Sequence, residues 1–387
     1  MAKLKVGVLF GGRSGEHEVS LLSAASVMNA IDKSKFDVVP IGITKEGHWV
    51  TMTHAEQLLS GKGAPARHLR AGDPAATFGS AVLARGEEMI VPPVPGGEAL
   101  VPFTSPSVTT PQPIHVDVVF PVLHGTFGED GTIQGLLELA DIAYVGAGVL
   151  GSAAGMDKDV MKKLFAAEGL PIVKHVTVLR AEWEADPKKV RRLLESKLKY
   201  PYFVKPANLG SSVGISKVHD KSELAAAMDM AASYDRKIVV EQGVGTAKAR
   251  ELEVSVLGND APQASVPGEI VPSAEFYDYA AKYLDEGSQL IIPAKLTKAE
   301  TKKVQQLAVA AFRAVDCSGL ARVDFLMEPK SRKLYVNEIN TMPGFTAISM
   351  YPKLWAASGL EYPALITRLI ELALERHAEK QKNQYSR

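Results

Sequence analysis

The N-terminal part of the chain alternates short apolar runs with a stretch of helical periodicity. Residues 3–10 (KLKVGVLF) form an apolar run that ends at two glycines, which is typical of a buried strand entering a tight turn. The next segment places apolar side chains on one helix face, at Val19, Leu22, Val27 and Ile31. Residues 36–43 (FDVVPIGI) predict a second strand. Strand, helix and strand in this order predict a right-handed parallel βαβ unit.

A second stretch of strand–helix alternation begins at residue 116. The run 116–123 (VDVVFPVL) predicts a buried strand, and a glycine-rich turn at 124–131 leads into a helix (TIQGLLELA). A short strand (IAYVG) and a helix near 157–168 follow. Together with the first βαβ unit, these elements predict an N-terminal α/β domain.

Residues 60–113 differ from the segments on either side. Nine of the 23 prolines lie between Pro65 and Pro113. Proline removes a backbone donor, and both proline and glycine interrupt helices and strands. We therefore interpret this segment as an irregular surface insertion. An edge hairpin (AVLARGEEMIVP) can be part of it.

The second half of the chain predicts mixed α+β structure. Strands VKHVTVL, YFVKPA, VGISKV and IVVEQGV alternate with helices near 183–198 and 221–232. A later helix opens with the capping box Thr297-x-x-Glu300, and two strands and a C-terminal helix follow. We therefore predict an N-terminal domain over 1–155, a central subdomain over 156–240, a C-terminal subdomain over 241–376 and a polar tail over 377–387.

Composition narrows the classes of protein that remain. The 387-residue chain has 44 basic and 44 acidic residues, so its net charge of zero argues against general affinity for nucleic acid or anionic membranes. The single cysteine, Cys317, excludes an internal disulfide or a cysteine-rich zinc site. No apolar run has the length of a membrane span, and the N-terminus lacks a secretory pattern. These features predict a cytoplasmic protein.

The segment 319–340 (GLARVDFLMEPKSRKLYVNEIN) carries the clearest chemistry. A hairpin centred near Ser331 pairs Asp324 with Glu338 and Arg322 with Asn340 on one face. The opposite face suits a core and carries Ala321, Val323, Phe325, Tyr335 and Ile339.

Opposed carboxylates repel, so a cation or a proton must compensate them. An all-oxygen ligand set favours Mg²⁺ or Mn²⁺ over zinc. An ion-pair network around Arg322 explains this cluster equally well when it is considered alone.

Four further motifs predict loops at a site. Lys205 ends a strand and precedes a loop of small residues (ANLGSSVG), which suits a loop that covers phosphate but also suits a plain hairpin. The glycine-rich turn at 11–18 contains Glu16, which can hold an ammonium group, although such turns usually only connect elements. The segment 275–283 (EFYDYAAKY) predicts either a loop over a site or side chains that cover a core edge. Gly344 follows the carboxylate hairpin, so its N–H can face a reacting centre.

Together these stretches resemble the ATP-grasp superfamily and, within it, the D-alanine–D-alanine ligases. The similarity runs from GGRSGEHEVSLLSA through LHGTFGEDGTIQG, GMDK, VKPANLGSSVG, EFYDYAAKY and ARVDFL to NEINTMPGFT. It implies an ATP-grasp fold, in which a Rossmann-like parallel-sheet domain precedes two mixed α+β domains that sandwich ATP. It also implies ATP-dependent formation of D-alanyl-D-alanine through a D-alanyl phosphate, for peptidoglycan synthesis, by a homodimer.

The resemblance also implies roles for individual residues. The catalytic set is Glu16, Ser211, Tyr283, Arg322 and the N–H of Gly344, and the residues that bind D-alanine are His124, Lys282 and Ser349. ATP contacts are Lys158, Lys205, Ser212, Glu241, Val244 and Glu251. The ligands of two Mg²⁺ or Mn²⁺ ions are Asp324, Glu338 and Asn340. A ligase that uses D-lactate or D-serine as the acceptor, or a non-catalytic nucleotide sensor of the same fold, is the alternative.

Overall fold

A computed structural model describes residues 3–51, 87–95, 100–102, 113–245, 248–271, 289–346 and 348–385. Its N-terminal sheet has seven strands in the order β5-β4-β3-β2-β1-β6-β7. The parallel strands are β1 (Leu4–Gly11), β2 (Phe36–Ile43), β6 (Val118–Pro121) and β7 (Ala143–Tyr144). The helices are α1 (His17–Ala30), α2 (Thr132–Leu139) and α3 (Val149–Met156). The predicted strands at 3–10, 36–43 and 116–123 and the parallel βαβ unit are confirmed.

The predicted insertion 60–113 contributes strands in its described parts. Strands β4 (Glu87–Ile90) and β5 (Val101–Pro102) lie in the insertion and, together with β3 (Trp49–Thr51) before it, add an antiparallel edge to the N-terminal sheet. The segment is therefore not irregular throughout, because β4 and β5 pair with each other. The remaining residues of 60–112 lie outside the described chain.

The central part of the chain forms a four-stranded antiparallel sheet in the order β10-β9-β11-β8. Its strands are β8 (His175–Leu179), β9 (Tyr202–Pro206), β10 (Ser216–Val218) and β11 (Lys237–Gln242). Its helices are α4 (Lys158–Ala167), α5 (Arg180–Ala185), α6 (Pro187–Lys197) and α7 (Leu224–Tyr234). The single helix predicted near 183–198 is two helices, because Asp186 caps α6 and Pro187 starts it.

The C-terminal part is a six-stranded sheet with the path β15-β14-β12-β16-β17, and β13 pairs with β12. Its strands are β12 (Arg250–Gly258), β13 (Gln263–Ala264), β14 (Gly268–Val271), β15 (Gln289–Ile291), β16 (Gly319–Met327) and β17 (Leu334–Asn340). Its helices are α8 (Lys298–Ala314), α9 (Met350–Ala357) and α10 (Tyr362–Lys380). The predicted capping box is present at the start of α8, where Thr297 accepts from the N–H of Glu300.

The C-terminal helix α10 packs on the N-terminal sheet. Its buried side chains share one core with Val6 and Phe120, and they are Leu365, Ile366, Leu369, Ile370, Leu372 and Ala373. Arg376 donates to the carbonyl of Tyr144 at 3.0 Å and lies 4.3 Å above the Tyr144 ring. Because α10 continues to Lys380, the first residues of the predicted tail 377–387 are helical. The chain therefore returns to its first sheet at its end.

None of the helices in the described ranges has both the length and the apolar character needed to cross a membrane.

Candidate active site

A cleft of about 600 Å³ separates the central sheet from the C-terminal sheet. The central sheet and the chain after β11 contribute Lys205, Glu241 and Val244, and the C-terminal strands contribute Glu251, Asp324 and Glu338. A second cavity of about 50 Å³ is lined by Lys158, Ser211 and Asn340, among others. The cleft and this cavity share Ser212, Ile215 and Glu338. A long ligand that occupies the cleft would therefore end beside the smaller cavity.

A buried ion network forms the inner wall of the cleft. Glu241 on β11 forms an ion pair with Lys205 on β9 at 2.9 Å and a second ion pair with Lys162 on α4 at 3.0 Å. Burial alone would raise the pKa of Glu241, but the two lysines outweigh it and lower this pKa to about 2. For Lys205, burial acts in the direction of a lower pKa. The negative charges of Glu241 and Glu338 outweigh burial, so the pKa of Lys205 is raised. Glu241 and Lys205 are therefore charged at neutral pH, whereas burial lowers the pKa of Lys162.

Lys158, the first residue of α4, points at the glycine–serine loop that follows β9. Its Nζ donates to the carbonyl of Leu209 at 2.7 Å, and burial lowers its pKa. The preceding Asp157 caps α4 and also pairs with Lys237 at 2.6 Å. These contacts hold the loop against the start of α4.

The carboxylate hairpin has the predicted register near the site. Asp324 is opposite Glu338, and Arg322 is opposite Asn340. A bulge after Asp324 shifts the pairing by one residue, so Phe325 is opposite Val336. The predicted core position of Tyr335 is wrong, because the extra residue Asn337 turns Val336 into the core instead.

Arg322 links the carboxylates on this face of the sheet. Its guanidinium makes two bonds of 2.7 Å to Asp324 and lies 3.1 Å from Glu253 on β12, a residue that the sequence interpretation missed. Glu253 is opposite Asp324 in the sheet register, but no local sequence signal indicates this pairing. The ion-pair network that was considered as the alternative therefore exists.

The donor set on this face fits a hard divalent cation. Asp324 and Glu338 are opposed in register and line the cleft, and all of the oxygen donors come from carboxylates and an amide. Asn340 turns its amide nitrogen to Asp324 at 3.0 Å. Across the described ranges, no group of three or more His, Cys, Asp or Glu side chains is arranged to hold a metal. The fit therefore rests on two carboxylates and an amide, which is the kind of partial shell that Mg²⁺ completes with water and phosphate oxygens.

Glu16 lies where the N-terminal domain meets the glycine–serine loop. It is 8% exposed, and Ser211 donates to its carboxylate. A Cβ at Gly125 or Gly210 would fall 2.6 Å or 2.7 Å from Glu16 Oε2, so both positions need glycine to admit this carboxylate. Of the predicted set Glu16, Ser211 and Tyr283, two members are therefore in contact. Tyr283 and Lys282 lie outside the described residues.

His124 connects three segments beside Glu16. Its Nδ1 is 3.0 Å from the carbonyl of Met342, and its Nε2 is 2.9 Å from Ser23 Oγ. Burial lowers the pKa of His124, which favours the neutral ring at pH 7.

Ser349 is the N-cap residue of α9, and its hydroxyl accepts from the N–H of Thr346 at 3.0 Å. Gly344 is adjacent, since a Cβ there would lie 3.0 Å from Ser349 Oγ.

Glu129 is a residue of this site that sequence interpretation missed. Its carboxylate accepts from the N–H of Gly125 at 2.6 Å and from the N–H of Met342 at 3.1 Å. Burial and the nearby charge of Glu16 raise the pKa of Glu129 to about 8. The available signal was its position in the HGTFGEDG turn, which begins at His124 shortly after β6.

The fold is an ATP-grasp fold, and comparisons with known proteins agree over the whole chain. The profile described as "D-ala D-ala ligase N-terminus" matches residues 5–147, and "D-ala D-ala ligase C-terminus" matches residues 164–371. The D-alanine–D-alanine ligase of Natranaerobius thermophilus is 49% identical over 387 residues, which cover 99% of this chain and 98% of that one. That of Heliobacterium modesticaldum is 50% identical over 383 residues, with 99% and 98% coverage.

Solved structures give the same result. The D-alanine-D-alanine ligase from Coxiella burnetii has a TM-score of 0.79 at 38% identity and covers 99% of this chain and 97% of its own. VanG D-Ala:D-Ser ligase from Enterococcus faecalis has a TM-score of 0.80 at 37% identity, with 96% and 100% coverage. The chain therefore belongs to the D-alanine–D-alanine ligase family.

Proposed function

We propose that this protein joins two D-alanines to D-alanyl-D-alanine at the expense of ATP, for peptidoglycan precursor synthesis. The observation that carries the proposal is that three features of the site lie next to one another. A cleft long enough for a nucleotide ends at the glycine–serine loop and Glu338, and the Glu16–Ser211 contact lies just beyond it. The bound nucleotide and the first amino acid would therefore meet at this junction.

The nucleotide occupies the cleft between the two antiparallel sheets. The chain after β11 faces the base, and Glu251 accepts from the ribose hydroxyls. Lys158, Lys205 and Ser212 contact the phosphates, which is consistent with their places around the junction of the two cavities. A cation such as Lys205 that is already paired with Glu241 keeps a fixed direction, so little reorganisation is needed when phosphate arrives.

Two Mg²⁺ or Mn²⁺ ions would be held by Asp324, Glu338 and Asn340 together with phosphate oxygens. These ions would neutralise charge on the transferring phosphoryl group and on the departing ADP. Arg322, which is bonded to Asp324, lies beside the same group and can turn part of its guanidinium toward the substrate.

The first D-alanine binds with its ammonium at Glu16 and close to His124. Its carboxylate oxygen attacks the γ-phosphorus of ATP, the bond to the ADP oxygen breaks, and an acyl phosphate forms. Without this step the carboxylate would remain a poor electrophile. Ser211, together with Tyr283 in the segment outside the described residues, orients Glu16 and closes the glycine–serine loop over the site.

The second D-alanine attacks the acyl carbon with its neutral amine. The developing oxyanion accepts from Arg322 and from the N–H of Gly344, and its collapse breaks the bond to phosphate, which leaves with the electron pair. The amine loses its proton to complete the amide. Ser349 and Lys282 hold the carboxylate of this second substrate.

A ligase with D-serine as the acceptor is the second candidate. It is supported by the likeness to the VanG D-Ala:D-Ser ligase at 37% identity over nearly the whole chain. We prefer D-alanine because the relatives that are about 50% identical are D-alanine–D-alanine ligases. Family membership also supports a homodimer in the cytoplasm, which analytical ultracentrifugation and cell fractionation would test.

The decisive experiment is phosphate release from Mg-ATP with the product identified by mass. The amino acids supplied are D-alanine, L-alanine, D-alanine with D-serine, D-alanine with D-lactate, or none. Release that requires D-alanine and yields the dipeptide supports the proposal. A predominant mixed product with D-serine would replace it with the second candidate, and nucleotide binding without release in every arm would contradict ligase activity.

A further inference from the structure

Lys162 is a completely buried lysine to which the proposed reaction assigns no role. It is 0% exposed and lies on α4, one helical turn after Lys158. Its Nζ has two partners, the Glu241 carboxylate at 3.0 Å and the main-chain carbonyl of Asn337 at 3.0 Å. Since burying an ammonium group is costly unless it is paired, these two contacts account for its presence in the interior.

The first contact affects Lys205. Glu241 has two oxygens, and Lys162 binds one while Lys205 binds the other at 2.9 Å. One carboxylate is therefore shared between two lysine side chains. Lys205 is directed by Glu241 without being fully neutralised, so it retains attraction for a phosphate group. If Lys162 were neutral, Glu241 and Lys205 would form a closed pair with less attraction for an anion.

The second contact affects the carboxylate hairpin. Asn337 is the extra residue of the bulge in β17, and its carbonyl accepts from Lys162. The bulge puts Glu338 opposite Asp324 even though Val336 packs into the core only two residues earlier. A strictly alternating strand would send Val336 and Glu338 to the same face. Lys162 therefore stabilises the irregularity that turns Glu338 to the cleft.

We propose that Lys162 is a positioning residue for nucleotide binding, which acts through Glu241 on Lys205 and through the Asn337 carbonyl on Glu338. It touches neither the nucleotide nor the metal. The proposal rests on the proposed function only in placing Lys205 and Glu338 at the nucleotide. Its primary readout, nucleotide affinity, does not require that the dipeptide is made.

The test is the affinity of Lys162→Met for an ATP analogue that is not hydrolysed, AMP-PNP with Mg²⁺, measured by calorimetry on the full chain. We expect affinity to fall by about tenfold or more, because without Lys162 the Glu241 and Lys205 side chains form a closed pair that attracts an anion less. In steady-state assays the KM for ATP should rise while the KM for D-alanine changes little. The matched control is Lys163→Met on the same helix, where the side chain is 68% exposed and pairs with Asp159. This control should keep wild-type affinity.

A double-mutant cycle separates positioning from simple loss of packing. If Lys162 acts through Glu241, Lys162→Met should have a much smaller effect on AMP-PNP affinity in a Glu241→Gln background than in the wild type. Equal effects in both backgrounds would overturn the route through Glu241, and an unchanged affinity in the single variant would overturn the whole proposal. Should Lys162→Met alone fail to fold, recovery of a cooperative melt in Lys162→Met/Glu241→Gln would support it, and failure of both would overturn it. A wild-type protein that binds AMP-PNP but makes no dipeptide would contradict the proposed function and leave this test intact.

Discussion

The carboxylate hairpin and the buried lysine network face the same cleft, yet they differ in how their contacts are distributed along the chain. In the hairpin, Asp324 meets Glu338 across one turn, so the regular register predicted their pairing even though a bulge follows it. In the network, Lys162, Lys205 and Glu241 come from α4, β9 and β11. No periodic pattern relates their positions. The comparison teaches that paired charges within one hairpin are predictable, whereas charges that compensate each other across elements are not.

The largest expected effect comes from Arg322 on the carboxylate hairpin. Arg322→Met should lower kcat for dipeptide formation by roughly a hundredfold or more, because it removes a donor to the developing oxyanion. Affinity for Mg-AMP-PNP should change far less. Steady-state kinetics and calorimetry on the same preparation measure both quantities.

A matched control for Arg322 lies at the other end of the same hairpin. Arg332 pairs with Glu300 at 2.7 Å on the surface, so Arg332→Met should cost well under about 1 kcal/mol and leave kcat unchanged. Full activity of Arg322→Met would show that Arg322 is not part of the oxyanion hole and that its role is limited to its structural ion pairs.

Glu338→Gln tests the metal assignment on the same face. We expect kcat to fall by roughly tenfold to a hundredfold and the Mg²⁺ concentration for half-maximal activity to rise, since one charged ligand becomes a neutral one. Chelation with EDTA should abolish activity of the wild type, and Mg²⁺ or Mn²⁺ should restore it. An unchanged metal requirement in the variant would contradict the role of Glu338 as a ligand.

The bulge in β17 can be tested through stability. Val336→Ala should lower the free energy of unfolding by about 2 kcal/mol, because two buried methyl groups are removed from a 0% exposed side chain. Tyr335→Ala should cost less, since Tyr335 is half-buried beside Lys333. Chemical denaturation of both variants gives the comparison. A larger loss of stability in Tyr335→Ala than in Val336→Ala would contradict the bulge and support the regular alternation that the sequence predicted.

Glu129 provides an effect that depends on pH. Its folded-state pKa of about 8 lies above the ordinary glutamate value of 4.5, so the folded protein binds this proton more tightly. Protonation of Glu129 therefore favours folding below about pH 4.5, and the benefit disappears as the pH rises toward about 8. Thermal melting should show Glu129→Gln gaining stability relative to wild type between these pH values. A constant difference across the range would mean that Glu129 is ionised in the folded state.

Local patterns were sufficient for most of the fold. The apolar runs predicted β1, β2 and β6, and the capping box predicted the start of α8, because each signal depends on neighbours close in sequence. The pairing of Asp324 with Glu338 was also predictable. The position of Tyr335 was not, because a bulge adds one residue without a signature in composition. The sequence indicated the strands β4 and β5 less clearly, because prolines and glycines surround them.

The sequence by itself determined the order of elements, the family resemblance and the residue types that could serve a phosphoryl-transfer site. Only the tertiary structure decided which charges face each other. It brought Ser211 to Glu16, Lys162 to Glu241 and Glu253 to Arg322, and it returned α10 to the first sheet. The physical reason is that an apolar pattern records burial along one element, whereas a buried charge is stable only with partners that the fold supplies from elsewhere.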